Sequence, residues 1–247
     1  MSRLPSVWQL TKQSLSLERS HLKIFLGITA LVAVPTNLIN LAAGTSDASI
    51  STYLSLASLL MNIALIWTVI QLEAGRQVTL RQAYYGGTAN LVKFLLVSVA
   101  LILELLPLAL ALVLYSVGVI GASPGTSLAE RIIISALAIT LAIPSIFWLN
   151  RGLFALYEVT SGSTRPIQAL RTASQRVRGH SWAVLSRLLG LVIATLILAL
   201  IPAAPLVLIY AQTTNHAVLA LLQVLISLLV LPFAVIYINK LYRALAS

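Results

Sequence analysis

Cysteine is absent from this chain of 247 residues. Disulfides, thiol redox chemistry and thiolate-bound metals are excluded with it. Acid is scarce: six Asp and Glu stand against sixteen Lys and Arg. Charge of either sign makes up only 9% of the chain, whereas 59% is hydrophobic and mean hydropathy is +0.98. A water-soluble globule, with about 25% charged residues, does not fit these figures. Long polar stretches are missing too. The longest, 159–181, has 23 residues, and a soluble catalytic domain needs at least about 50. The chain reads as one membrane domain, 1–247.

What is present is a set of apolar runs, at approximately 22–43, 53–73, 91–120, 131–158, 182–210 and 217–239. A helix crosses a hydrocarbon core of ~30 Å with about 20 apolar residues. The sequence therefore predicts an all-α integral membrane bundle of six transmembrane helices in three hairpins. Met1–Trp8 lacks the cationic stretch followed at once by an apolar core that marks a secretory leader. The first run is expected to be retained as a span.

The net charge of +10 invites a nucleic-acid reading, and the position of the charges rejects it. Fifteen of the sixteen bases lie before the first span, around the gaps between spans 2–3 and 4–5, or near the end of the chain. The other gaps carry Asp47 and Glu130, and only Arg131 flanks that side. Bases mark cytoplasmic loops, so both termini are expected in the cytoplasm, in a bacterial-type inner (cytoplasmic) or internal membrane. Cations at that level meet anionic lipid headgroups, each contributing about 1 kcal/mol. Lys12, Arg19, Arg165, Arg171, Arg176 and Arg178 are the expected headgroup contacts, with no nucleic acid as partner.

Two polar stretches, 5–20 and 165–180, are expected to form short amphipathic interfacial helices. In the second, Ser163 or Thr164 can cap and Pro166 suits the first turn. Ile167, Leu170, Ser174, Val177 and Ser181 recur at helical spacing, with Arg171, Gln175 and Arg178 on the other side. The first stretch echoes it without gaps: Gln9, Lys12, Arg19 and His21 meet Gln168, Arg171, Arg178 and His180. A fainter middle copy sets Glu73 against Glu158 and Gln82-Ala83 against Gln168-Ala169. The pattern predicts a helix–hairpin unit repeated three times.

One pattern is Ser163-x-Arg165-x3-Ala169-Leu170-x3-Ser174-x4-Gly179-x2-Trp182; the last span closes on Pro232-x4-Tyr237-x-Asn239-Lys240-Leu241-Tyr242-Arg243. Together they resemble the six-helix membrane domain found beside bacterial glycerophosphodiester phosphodiesterases, and its stand-alone uncharacterised relatives. Asn239 stands where that family's closing element has an acid. The resemblance implies a fold; the phosphodiesterase chemistry belongs to an attached soluble domain.

Glu104 is the sharpest single residue, eleven positions inside Lys93 and so about 16 Å deep. An ionised side chain there is expensive unless it is paired, protonated or hydrated. It is read either as a proton or cation site beside Pro107 or as a structural interhelix hydrogen bond. Asn150 and Arg151 lie in span 4, and a buried Glu104–Arg151 pair is one expectation; snorkelling of Arg151 to the surface is the other. Arg187 is expected to snorkel. His21, His180 and His216 have no partner at metal-ligand spacing, so no metal and no cofactor are expected. Gly86-Gly87 reads as a break before span 3. Trp67, Trp148 and Trp182, with the tyrosines at span ends, read as an aromatic belt.

These features predict no catalytic residues and no enzyme. The function expected is a non-catalytic scaffold or accessory factor contacting another membrane protein and anionic lipid. The alternative is a small transporter or lipid-handling protein built on Glu104 and Arg151.

Overall fold

The structure, a computed structural model, describes residues 4–43, 48–121, 127–161, 164–213 and 216–246. Asp47 and Ser163 lie outside the described residues. In chain order the helices are α1 (Val7–Ser20), α2 (Leu22–Ala43), α3 (Ala48–Glu73), α4 (Leu80–Thr88) and α5 (Leu91–Tyr115). They continue as α6 (Leu128–Gly152), α7 (Ala155–Thr160), α8 (Pro166–Val177), α9 (Ser181–Thr213) and α10 (His216–Ala246). A π-helical turn, Ser116–Ile120, extends α5.

The protein is an all-α membrane protein, with no strand among the described residues. Six segments are long and apolar enough to cross a bilayer: Leu22–Leu41, Thr52–Glu73, Leu91–Ile120, Leu128–Thr160, Ser181–Ala211 and Ala217–Ala246. The fourth is broken: α6 ends at Gly152 and α7 starts at Ala155 after a turn. Prolines 35, 107, 144, 202, 205 and 232 all stand inside spanning helices.

Short helices precede three of the spans, and their starts share one chemistry. Ser6 caps α1 and Thr79 caps α4, each in a reciprocal box with Gln at the third helical position, Gln9 and Gln82. The third helix, α8, has Gln168 at that position and Pro166 at the first. Its cap is Arg165, whose side chain makes no capping bond, so Thr164 does not serve there.

From that common origin, burial falls on one register. The fourth helical position is Leu10, Ala83 or Ala169, and the eighth is Ser14, Gly87 or Ala173. The twelfth is Glu18 in α1 and Val177 in α8; α4 stops before it. All these residues are buried. The expected apolar line through Ile167 is displaced: Ile167 is 81% exposed, and small residues on the adjacent line make the protein contact.

The partners of these helices obey one rule as well. α4 packs on α3, the span before it, and α8 packs on α6. α1, the first helix described, packs on α10. This shared register and pairing support a unit repeated three times along the chain.

The contacts divide the chain into two compact units. The first comprises Met1–Leu91, Thr160–Gly162 and Trp182–Ser247; the second comprises Val92–Val159 and Ser163–Ser181. In the first, α2, α3 and α10 meet over Phe25, Ile28, Ile63, Leu65, Ile236 and Tyr237. Lipid tails are as apolar as leucine, so close packing and polar ties hold such spans together. Gly86 and Gly87 lie inside α4 and form its contact; they are not a break. A β-carbon on Gly87 would stand 3.1 Å from the Ala64 backbone, and one on Gly86 would strike the Trp67 ring. The Tyr84 hydroxyl donates to the Ile28 carbonyl at 2.9 Å, and burial raises its pKa above the ordinary phenol value.

In the second unit a hydroxyl repairs a proline lesion. Pro107 disturbs α5, and Ser145 of α6 stands between the N–H of Leu108 and the C=O of Glu104. Its Oγ accepts from Leu108 N at 3.1 Å and donates to Glu104 O at 2.8 Å. A regular turn joins those two groups directly. Both are satisfied here without water.

Candidate functional site

Glu104, Asn150 and Arg151 all belong to the second unit. Glu104 is half-buried on α5, and its Oε2 has no hydrogen-bond partner. The residue facing it is Gly152. A β-carbon there would come within 2.7 Å of Glu104 Oε2 and 2.5 Å of Leu101 Cδ2, so the glycine makes room for the carboxyl. Asn150 is buried, and its Nδ2 donates to the Ser181 carbonyl at 2.9 Å. Its Oδ1 and the Nε of Arg151 are buried without partners.

The expected Glu104–Arg151 ion pair does not form: the described ion pairs are made by Glu73 and Glu158 alone. The reason is rotational. Adjacent helical residues differ by about 100°, and Gly152 rather than Arg151 points at Glu104. The three candidates thus share the end of α6 and the facing turn of α5 without converging as acid and base. No cluster of three metal-ligating side chains occurs among the described residues.

The span ends carry the organised charge. In the second unit Arg176 pairs with Glu158 at 3.3 Å. Expected at the headgroups, Arg176 is half-buried on that acid, whereas Arg165, Arg171 and Arg178 are exposed. In the first unit Lys12 and Arg19 are exposed. Glu73, at the end of α3, gathers three groups from α10: Lys240 at 3.2 Å, Arg243 at 2.9 Å and Asn239 Nδ2 at 2.6 Å. This cluster escaped sequence reasoning. Its signal was Arg243, four positions after Asn239 and three after Lys240, spacings that make it a surface neighbour of each.

Two further residues have roles the sequence did not show. Arg187, expected to snorkel, has a definite protein target: its guanidinium donates to the carbonyls of Pro5 and Leu4 at 3.3 and 3.5 Å. It thereby clamps the residues leading into α1. Glu18 is buried at the twelfth position of α1 with Oε2 unpartnered. Burial pushes its carboxyl up to about 7, against the opposing pull of Arg19. Its signal was an acid in the register position that α8 fills with valine.

No family model matches the chain, and no curated protein or solved structure shows significant similarity to it.

Proposed function

We propose that this protein is a non-catalytic membrane scaffold or accessory factor. Its spans engage another integral membrane protein, and its basic helix ends engage anionic lipid. The orientation that goes with this reading puts both termini in the cytoplasm of a bacterial-type cell, the membrane being the inner or an internal one.

One observation carries it. From Val192 to Ala211, no residue of α9 is buried. Leu189, Val192, Ile193, Leu196, Ile197 and Leu200 repeat at helical spacing, each more than half exposed. α3 is the contrast, with Ile63, Ala64 and Leu65 completely enclosed. A span that takes so little part in its own core is suited to a partner helix. Photo-crosslinking from position 196 in native membranes tests this. A discrete protein adduct is expected, and lipid adducts alone would overturn the scaffold reading.

A second reading is a small transporter or lipid-handling protein using Glu104 and Arg151. The unpartnered Oε2 of Glu104 inside a span favours it. On that reading Glu104→Gln abolishes flux in proteoliposomes while the protein still assembles.

A further inference from the structure

The first unit contains a cavity of about 640 Å³ where α1 meets α2 and α3 turns toward α4. That is within the range of small-ligand sites. Arg19 and His21 enter from the end of α1, Lys23 from the first turn of α2 and Arg76 from the turn after α3. No acid among the described residues lines it. Like charges gathered around one cavity repel, and an anion placed among them removes that cost.

Its walls are held in place. α3 ends in a full Schellman turn: Gly75 N–H bonds Leu72 O at 3.0 Å and Arg76 N–H bonds Gln71 O at 3.1 Å. Gly75 has φ of 76°, a left-handed value that suits glycine. Arg76 is steadied further by a 3.1 Å bond from its Nη1 to Gln71 Oε1. On the other wall, His21 Nδ1 lies 2.8 Å from Ser20 Oγ, which fixes the ring beside Lys23.

The level of the cavity selects the kind of anion. Spans begin at Leu22 and end at Glu73, so the cavity sits where phospholipid headgroups lie. Ile24 and Leu72 line it together with the bases, giving an apolar side for the glycerol and first acyl carbons. We propose that this cavity seats the phosphate headgroup of one anionic phospholipid, gripped by Arg19, His21, Lys23 and Arg76. The proposal rests on the lipid-engaging part of the function above and narrows it to one site.

The test uses the full chain in neutral detergent, with lipid retention followed by native mass spectrometry. Phosphatidylglycerol is titrated against phosphatidylcholine, with glycerol phosphate and inorganic phosphate as soluble arms. The wild type is expected to retain one phosphatidylglycerol in preference to phosphatidylcholine. Arg19→Gln with Arg76→Gln should weaken that retention about thirtyfold, from ~1 kcal/mol per charge. Arg131→Gln, at the start of α6 and outside the basic helix ends, should leave it unchanged. Retention that survives the first pair and falls with Arg171→Gln and Arg178→Gln on α8 overturns the cavity but keeps general lipid binding. No preference in the wild type overturns both. Equal occupancy by glycerol phosphate overturns the lipid as source. Should the double variant fail to fold, Arg76→Gln alone, on an exposed turn, decides with an expected fivefold to tenfold loss.

Discussion

The short helices α1 and α8 start from the same register and bury the same positions, yet they fill them oppositely. α8 presents Ala169, Ala173 and Val177, a line of small apolar residues that lies flat on α6. α1 presents Leu10, Ser14 and Glu18 to α10. Ser14 hides its hydroxyl by donating to Leu10 O at 2.7 Å, whereas Oε2 of Glu18 has no such outlet. Docking is therefore set by the cap and the four-residue spacing, while side-chain identity sets what the dock responds to. α8 docks through apolar side chains; α1 docks with a carboxyl that burial pushes toward its protonated form.

The strongest way to break this comparison is at the eighth position of α4, where contact is backbone to backbone. Gly87→Leu places a side chain against the Ala64 main chain, which cannot step aside. A loss of about 3 kcal/mol or more is expected, seen as a lower Tm in detergent and faster proteolysis of the turn at 74–79. An unchanged Tm would show that α4 is not held by the register it shares with α1 and α8.

Exchanging the twelfth position sharpens the comparison. Val177→Glu gives α8 the buried acid of α1 and is expected to cost about 2–3 kcal/mol at pH 8. The reverse change, Glu18→Val, should relieve α1. The sign follows from the raised value: folded Glu18 holds its proton up to about pH 7, whereas the unfolded group releases it near 4.5. Its contribution is intact below about pH 4.5, shrinks as pH rises and is gone above about 7, a swing of about 3 kcal/mol. Glu18→Gln and Glu18→Val should therefore flatten the fall in stability between pH 5 and pH 8 that the wild type shows. Parallel pH profiles for wild type and variants would place Glu18 in contact with water.

What the sequence made legible, and what it hid, divides along the same line. The six spans were readable to within a few residues because about twenty apolar positions in a row leave little ambiguity. The last runs on past 239 to Ala246, since Lys240 and Arg243 have Glu73 to answer them. The start of α8 was readable from Pro166. The face of α8 was not: alanines score weakly as apolar, and close approach between helices depends on smallness. Glu104–Arg151 failed because depth along two helices was readable and rotation about them was not. Ser145 could not be anticipated, because its role depends on which turn of α5 lies opposite. Glu73 and its partners are some 166 residues apart or more, a separation at which spacing carries no information.

The smallest expected effect concerns the cap that α8 lacks. Ser6 and Thr79 each accept from the N–H of the glutamine at the third helical position, and that glutamine returns a bond to the cap's own N–H. α8 has the glutamine, Gln168, but Arg165 has no oxygen to offer. Arg165→Ser completes the box and is expected to stabilise the second unit by about 0.5–1 kcal/mol. The same change removes one exposed cation. Two readouts thus move in opposite directions: Tm rises by a degree or more, while retention of phosphatidylglycerol falls about fivefold if position 165 touches headgroups. A rise in Tm with retention unchanged would leave lipid contact to Arg171 and Arg178. No rise would mean that Pro166 alone fixes the start of α8, and that the capping box belongs to α1 and α4 only.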